Sequence, residues 1–280
     1  MPAIIDCRNL IKIHKQGNLE VVALQGLNFT MEQGEFVSVV GKSGAGKSTL
    51  LRILAGLEVP SAGAVEVTGV ELADIGERAL VTHYRRNVGF LWQDFNRNLL
   101  PYLKAVQNVE LPMLLAGVAG RRRRTRAVAL LEAVGLRNHA YSNVHTMSGG
   151  EQQRLALCVA LALGPKLLLA DEPTGELDTE SSLGIYELLR RLNEDGGLSI
   201  LVVTHDVALA TRTDRVVRLA DGKVAGRNAH RESSLVDVGT HGAVEIPRDM
   251  LLEAGIGERA NARLTDEGIL LTPEDAPDDA

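Results

Sequence analysis

The sequence predicts an α/β nucleotide-binding fold followed by a small, β-rich C-terminal module. Apolar runs of strand length alternate with helical patterns over residues 4–92 and 148–226, a glycine-rich loop follows one such strand, and paired carboxylates follow another. The chain has 280 residues, of which 45% are hydrophobic, so it can bury a full core. Its net charge of −6 gives no reason to expect that the whole protein binds nucleic acid.

The glycine-rich loop carries the most specific signal. Positions 41–48 fit the phosphate-loop pattern G-x-x-x-x-G-K-[ST]. The buried-strand run Phe36–Val40 precedes the loop, and a helical run that Gly56 closes follows it, so backbone N–H groups and the helix N-terminus favour phosphate. Lys47 is predicted to reach the β- and γ-phosphates, and the Ser48 hydroxyl is predicted to hold Mg²⁺. The residues of this region predicted to bind ATP are Gly41, Lys42, Ser43, Gly44, Ala45, Gly46, Lys47, Ser48 and Thr49.

A second strand, Leu167–Ala170, ends in two adjacent carboxylates, Asp171 and Glu172. Alone, this pattern is more typical of a strand capped by a solvated acidic turn. After a phosphate loop it favours hydrolysis of a magnesium–nucleotide complex, because successive side chains point to opposite faces of a strand. Asp171 is then predicted to ligate Mg²⁺, and Glu172 is predicted to address the attacking water.

A third segment, Met147–Glu151, predicts a helix that Ser148 caps, with Glu151 completing a capping box. The segment resembles the signature motif of ATP-binding-cassette (ABC) ATPases, with Met147 in place of the usual Leu. The resemblance implies a RecA-like P-loop NTPase core with an α-helical subdomain. It also implies a homodimer in which Ser148, Gly149, Gly150 and Glu151 contact the γ-phosphate of a nucleotide held by the opposite subunit.

Other positions match the motifs of this family in the family's order. Gln93 matches the Q-loop glutamine, which implies a role at Mg²⁺ and at the nucleotide. Asp178 matches the D-loop aspartate on the face toward the opposite subunit, although Glu176 stands where close relatives often carry Asn. His205 follows a buried strand and matches the switch histidine. The resemblance therefore implies that Lys47, Glu172 and His205 are the catalytic residues.

His14 stands where the family usually places an aromatic residue against adenine. An imidazole offers less surface for stacking than a tyrosine ring, and stacking contributes about 1–3 kcal/mol per base. We therefore expect weaker discrimination for adenine, with the phosphates supplying most of the affinity.

Residues 94–147 predict a helical insert, with helices over Val106–Ala116 and Arg126–Val134. The segments Asn98–Leu103 and Asn108–Pro112 resemble the ABC subgroup of macrolide exporters, lipoprotein-release ATPases and the cell-division ATPase. That resemblance implies an FtsX-like integral membrane permease as partner. Arg121–Arg124 is compatible with a solvated helix start and with a surface that contacts lipid headgroups or the permease.

No membrane span is predicted, because the apolar region Leu155–Ala170 is interrupted by Gly164–Lys166. A signal peptide is not predicted either. We therefore expect a peripheral protein at the cytoplasmic face of the plasma membrane. Cys7 and Cys158 are far apart, match no metal-ligand spacing and predict reduced thiols.

The ATPase domain is predicted to span residues 1–227, with a different module after it. Residues 228–280 contain four basic and twelve acidic residues, a net charge of −8. The predicted elements of this module are strands at Leu235–Val238 and Ala243–Ile246, a helix at Arg248–Ala254, and a hairpin formed by Arg263–Thr265 and Ile269–Leu271. The pattern over 228–272 resembles an AbrB-like swapped-hairpin module, and residues 273–280 predict a disordered acidic tail.

The expected function is that of the ATP-hydrolysing subunit of a transporter, with ATP and Mg²⁺ as cofactors. Two alternatives remain. One is an ABC ATPase without transport, and the other is an ATP-sensing regulator whose C-terminal module binds DNA. The charge of −8 on that module disfavours DNA binding, because phosphates would be repelled.

Overall fold

A computed structural model describes residues 3–16, 19–73, 75–175, 177–224, 251, 256, 259–265 and 268–273. The chain divides into two compact units, Met1–Ala225 and Gly226–Ala280. The strands of the first unit are β1 (Ala3–Gln16), β2 (Leu19–Glu32), β3 (Phe36–Val40), β4 (Ala62–Val67), β5 (Val70–Glu71), β6 (Val88–Leu91), β7 (Leu167–Asp171), β8 (Ser199–Thr204), β9 (Arg215–Ala220) and β10 (Lys223–Val224). Its helices are α1 (Lys47–Leu54), α2 (Glu77–Asn87), α3 (Ala105–Leu115), α4 (Gly120–Ala133), α5 (Gly149–Leu161), α6 (Thr179–Gly196) and α7 (Val207–Ala210).

A six-stranded sheet in the order β10-β9-β3-β8-β7-β6 forms the centre of the first unit and confirms the α/β class. Its strands are parallel from β9 to β6, and β10 is antiparallel at one edge. Every residue of β3, β7 and β8 is buried, as expected for parallel strands covered on both faces. Because the carboxyl ends of parallel strands meet at one edge, the residues that follow β3, β7 and β8 come together there.

A four-stranded antiparallel sheet in the order β2-β1-β4-β5 covers one face of the site region. One apolar cluster joins this sheet, α1 and the central sheet, and it includes Ile5, Leu24, Leu50 and Val39. Helix α1 therefore packs between the two sheets, which fixes its N-terminus beside the glycine-rich loop.

Helices α3, α4 and α5 form the helical segment, which shares a second apolar cluster with the central sheet. Helix α4 begins at Gly120, six residues before the start predicted at Arg126. The reason is that arginine is a favourable helix residue, so the basic run continues the helix toward its N-terminus instead of preceding it.

Two arginines of α4 contact neighbouring helices. The Arg124 guanidinium lies 3.4 Å from Glu110 and joins α4 to α3. Arg126 Nε donates to the carbonyl of Ala162 at 2.6 Å, and its NH2 donates to that of Leu161 at 3.3 Å. Arg126 thus satisfies carbonyl groups at the C-terminal end of α5 and places a positive charge there, where the helix dipole is negative.

The second unit contains an antiparallel hairpin of β11 (Ala260–Thr265) and β12 (Gly268–Pro273). The hairpin predicted at 263–271 is confirmed, with longer strands. The strands predicted at 235–238 and 243–246, the acidic tail after residue 273 and nearly all of the helix predicted at 248–254 lie outside the described residues. Within the described parts of the chain, no helix is both long and apolar enough to span a membrane.

Candidate active site

The glycine-rich loop turns tightly between β3 and α1. Gly44 and Gly46 adopt left-handed φ values of 80° and 97°, which glycine tolerates best. A Cβ on Gly41 would lie 2.2 Å from the carbonyl oxygen of Leu219, and one on Gly46 would lie 2.4 Å from that of Ala23. The neighbouring backbone therefore requires glycine at both positions, and the left-handed turn requires it at Gly46 as well.

Lys47, the first residue of α1, is 6% exposed and points back over the loop. Its ammonium donates to the carbonyl oxygens of Gly41 at 2.8 Å and Lys42 at 3.2 Å. The lysine therefore already lies over the loop in which a phosphate group would be bound.

Ser48 and Asp171 meet at the edge where β3 and β7 end. The Ser48 hydroxyl donates to Asp171 Oδ1 at 3.1 Å, and Asp171 is 5% exposed. Burial raises the pKa of Asp171, the hydrogen bond from Ser48 opposes that change, and the adjacent Glu172 raises the pKa further. A hydroxyl and a desolvated carboxylate in contact form a donor set suited to Mg²⁺, which prefers oxygen ligands.

Glu172 has a left-handed φ of 45°, an uncommon conformation for a residue with a side chain. Its N–H donates to the carbonyl of Val203 at 2.8 Å, which ties the start of the turn to β8. The turn aims its carboxylate at His205, whose Nδ1 lies 2.9 Å from Glu172 Oε2. The two predicted catalytic residues from β7 and β8 are thus in direct contact.

Gln93 lies beyond the end of β6, and its side chain approaches the same edge. A Cβ on Gly175 would lie 3.5 Å from Glu172 Oε2 and 3.7 Å from Gln93 Nε2. The glutamine amide and the glutamate carboxylate therefore both lie next to Gly175. The structure brings Gln93, Glu172 and His205 together around this turn.

The signature segment, Ser148–Glu151, begins α5 with the predicted capping box. The Ser148 hydroxyl accepts from Glu151 N–H at 3.3 Å, and Glu151 Oε2 accepts from Ser148 N–H at 2.8 Å. The hydrogen bond from the Ser148 backbone lowers the pKa of Glu151. Ser181 links this segment to Asp178. A Cβ on Gly150 would lie 3.1 Å from Ser181 Oγ, and Ser181 donates to the Asp178 carboxylate.

His14 lies near the far end of β1 and faces Glu58, with 3.9 Å between His14 Nε2 and Glu58 Oε2. Lys12 and Arg52 also approach Glu58. Among the described residues, neither a hydrogen bond nor an ion pair joins His14 to the glycine-rich loop. The polar partner that the structure gives His14 is thus Glu58, which is not one of the predicted site residues.

Two polar side chains beside the site were not predicted from the sequence. Gln153 is 2% exposed, and its amide donates at 2.7 Å to the carbonyl of Pro173, directly after Glu172. Asn98 spans the turn that contains Gln93. Both act on backbone groups, so sequence spacing does not reveal them; a glutamine on the buried side of an apolar helix was the one available signal for Gln153.

Comparisons with known proteins agree with this geometry. A family profile described as "ABC transporter" matches residues 24–175. An uncharacterized ABC transporter ATP-binding protein of Thermotoga maritima is 43% identical over 226 residues, which cover 81% of this chain and 95% of the relative. The lipoprotein-releasing system ATP-binding protein LolD of Pseudomonas syringae pv. tomato is 43% identical over 222 residues, covering 79% and 97%.

Among solved structures, the chain is similar to a dimeric post-hydrolysis state of the ATP-binding cassette MJ0796 bound to ADP and Pi. The TM-score is 0.72 at 38% identity, with 79% of this chain and 97% of that chain covered. The relatives thus match the chain over nearly their whole lengths, and their fold is the one described above. The chain belongs to the ABC transporter family and is an ATP-binding cassette that hydrolyses ATP.

Proposed function

We propose that two copies of this chain close around Mg-ATP and drive an FtsX-like membrane permease from the cytoplasmic face of the membrane. The observation that carries the proposal is that two groups of residues lie on different elements. The glycine-rich loop meets Asp171 at the end of β7 through Ser48, whereas the signature segment begins α5 beside the Asp178 turn. A second copy, facing the first head to tail, would supply the signature segment and Asp178 to each nucleotide.

Each residue of the first group has a distinct chemical role in this proposal. Lys47 and the loop N–H groups neutralise phosphate charge. Glu172 orients a water molecule toward the γ-phosphorus and accepts its proton as the bond to the ADP oxygen breaks. His205, in contact with Glu172, supports the γ-phosphate while charge spreads over its oxygens.

Ser48, Asp171 and Gln93 would hold Mg²⁺, which supplies charge neutralisation at the phosphates. No group of three or more His, Cys, Asp and Glu side chains in the described ranges is arranged to hold a metal ion.

Closure follows from differential affinity. ATP binds the closed pair through both groups and the open chain through one, so ATP shifts the equilibrium toward closure. Hydrolysis removes the γ-phosphate contact to the signature segment, and the pair reopens. This cycle is the motion that we propose a permease uses, either for export or for transmission of force across the membrane.

A cavity of about 410 Å³ beside the helical segment supports a membrane partner. Its wall is formed by the end of α2, β6, α3, the end of α5 and the loops beside them, and the large apolar side chains in it include Phe90, Leu111, Leu115, Val159 and Leu163. Leu115 is 65% exposed, the adjacent Leu114 is 52% exposed, and Tyr102 is 77% exposed. A short apolar segment of a permease fits this surface.

Replacement of the proposed base tests the mechanism. Glu172→Gln keeps the shape of the side chain and removes its basicity, so ATP binding is retained while turnover falls by about 100-fold or more. Sedimentation with Mg-ATP is expected to show a lasting dimer for Glu172→Gln and a transient one for the unaltered chain. Lys47→Ala serves as the control that loses nucleotide binding. Normal turnover in Glu172→Gln would remove Glu172 from its role.

Crosslinking tests the partner. Burial raises the pKa of the Cys7 and Cys158 thiols to about 12, so a cysteine introduced at the surface reacts first. Leu115→Cys is expected to crosslink to a co-expressed FtsX-like permease encoded beside this chain. Val216→Cys, an exposed position on β9, is the control. A chain that neither copurifies with the permease nor crosslinks to it would favour an ABC ATPase without transport.

For residues 228–272 we propose an AbrB-like dimerisation or regulatory module. The described hairpin supports this, because two paired strands bury little apolar surface by themselves and gain stability when they pack against further structure, such as a second copy. Sedimentation of the full chain without nucleotide is expected to show weak self-association. Salt-sensitive DNA binding by the full chain in a gel-shift assay would instead favour the regulator.

A further inference from the structure

The segment between β6 and α3 carries Gln93, and Asn98 closes it into a ring. The Asn98 Oδ1 accepts from the Trp92 N–H at 3.0 Å, and its Nδ2 donates to the carbonyl of Phe90 at 2.9 Å. Both partners lie within three residues of Gln93, one of them directly beside it. One side chain therefore sets the path of the backbone from which Gln93 projects.

Ring packing reinforces the same turn. The ring centroids of Phe90 and Trp92 lie 4.3 Å apart, and the Arg97 guanidinium lies 3.6 Å from the centroid of the Trp92 ring. The Asp94 carboxylate accepts from Asn96 N–H at 2.9 Å. Arg97 and Asn96 therefore add side-chain and backbone contacts to the turn that carries Gln93.

The position of Gln93 is chemically sensitive. Its amide and the Glu172 carboxylate both lie within 4 Å of the point that a Cβ on Gly175 would occupy. A displacement of about 1 Å at a catalytic centre costs up to about 100-fold in rate. A side chain that fixes Trp92 and Phe90 therefore bears on turnover without touching the nucleotide.

Asn98 also lines the cavity described above, together with Asn108. Asn108 is 2% exposed, accepts from Leu100 N–H at 2.7 Å and donates to the Leu100 carbonyl at 3.1 Å. Asn108 thus holds the later part of the segment, and Asn98 holds the part with Gln93. Of these two asparagines, Asn98 is the one whose hydrogen-bond partners, Trp92 and Phe90, lie within three residues of Gln93.

We propose that Asn98 is a positioning residue that holds Gln93 at the hydrolysis site. The inference rests on the proposed role of Gln93 at the nucleotide and extends it to the residue that sets the glutamine's place. Asn98 itself contacts backbone only, so it acts through Gln93.

The first test compares Asn98→Ala with Asn193→Ala. Asn193 is a matched control, because its buried amide donates to the carbonyls of Gly34 at 2.7 Å and Leu198 at 2.8 Å, away from Gln93. Asn98→Ala is expected to lower kcat by about 10-fold and to raise the Mg²⁺ concentration that gives half-maximal turnover. Asn193→Ala is expected to lower the unfolding midpoint without changing Mg²⁺ dependence. Equal Mg²⁺ curves for both variants would overturn the proposal.

Asn98→Asp separates the two hydrogen bonds. The variant keeps the acceptor for Trp92 N–H and loses the donor to the Phe90 carbonyl, so we expect Mg²⁺ dependence between that of the unaltered chain and Asn98→Ala. If Asn98→Ala does not fold, Asn98→Asp carries the comparison. An Asn98→Asp variant indistinguishable from the unaltered chain would then contradict the inference.

A double-mutant cycle assigns the effect to Gln93. If Asn98 acts through Gln93, adding Asn98→Ala to Gln93→Ala causes no further loss of kcat. Losses that multiply would mean that Asn98 acts independently, and the inference fails while the role of Gln93 stands. Normal turnover and Mg²⁺ dependence in Gln93→Ala alone would instead refute the proposed role of Gln93.

Discussion

The backbone conformation of Glu172 is unfavourable for stability and places a carboxylate at the proposed catalytic site. A left-handed backbone costs about 1–2 kcal/mol for a residue with a Cβ atom, yet the proposed base occupies it at a φ of 45°. In this turn the Glu172 N–H bonds to the carbonyl of Val203 in β8, while its carboxylate contacts His205, which directly follows that strand. Strain of this kind persists at sites where the surrounding structure holds it.

This strain predicts an unusual gain in stability. We expect Glu172→Gly to be more stable than Glu172→Gln by about 0.5–1 kcal/mol, because relief of the left-handed strain exceeds glycine's extra freedom in the unfolded chain. Urea unfolding without nucleotide measures the difference, and neither variant turns over ATP normally. The matched pair Glu187→Gly and Glu187→Gln, at an exposed position inside α6, is expected to show the opposite order. A less stable Glu172→Gly would contradict the account.

At this scale the sequence predicted residue types better than contacts. Lys47, Asp171 and His205 could be named because the order of strands and motifs restricts which side chains follow each strand. Gln153 and Asn98 could not, because their partners are backbone carbonyls and N–H groups whose approach depends on how β6, β7 and α5 pack. His14 was named from its alignment alone, and its contact with Glu58 has no signature in the spacing.

At the scale of elements, α5 matters most because it carries the signature segment at its N-terminus. The capping box satisfies that end, and Arg126 satisfies the carbonyls at the other. A helix whose two ends are both held keeps its first turn in one orientation. The direction of the signature segment thus depends on a side chain of α4.

Loss of the C-terminal contact predicts a measurable destabilisation. Arg126→Ala is expected to lower the free energy of unfolding by about 1 kcal/mol. This is less than a buried hydrogen bond from a charged group contributes, because Arg126 is exposed to solvent. Arg122→Ala, an exposed position in the same helix, is expected to change stability by less than about 0.5 kcal/mol. Denaturant titration of both variants decides, and equal effects would mean that the contact with Ala162 contributes nothing.

Elements were predicted more reliably than their ends. The strand runs before Gly41, Asp171 and His205 could be recognised because every residue in them is apolar or small. The helix predicted from Arg126 begins at Gly120, because the run Arg121–Arg124, interpreted as a solvated helix start, forms the first turns of α4. The hairpin at 260–273 was indicated by the turn residues between its apolar runs.

At the scale of the whole molecule, the chain divides into two compact units. The first unit, Met1–Ala225, contains both large apolar clusters and every residue proposed for the nucleotide site. We therefore expect a chain that ends at Ala225 to keep the cooperative unfolding transition and the ATPase rate of the full chain. Calorimetry and a phosphate-release assay test this. Aggregation or lost turnover in the shortened chain would show that the first unit depends on the second.

The apolar cluster that joins α3, α4 and α5 to β7 and β8 has a mechanical consequence. Protein interiors packed to crystal-like density are nearly incompressible, and here the packing runs from Val106 and Leu131 to Leu168 and Val202 without interruption. A load applied at the outer surface of the helices is therefore passed to the strands as rotation of a stiff body. Little of the motion would be lost as elastic deformation of the helices.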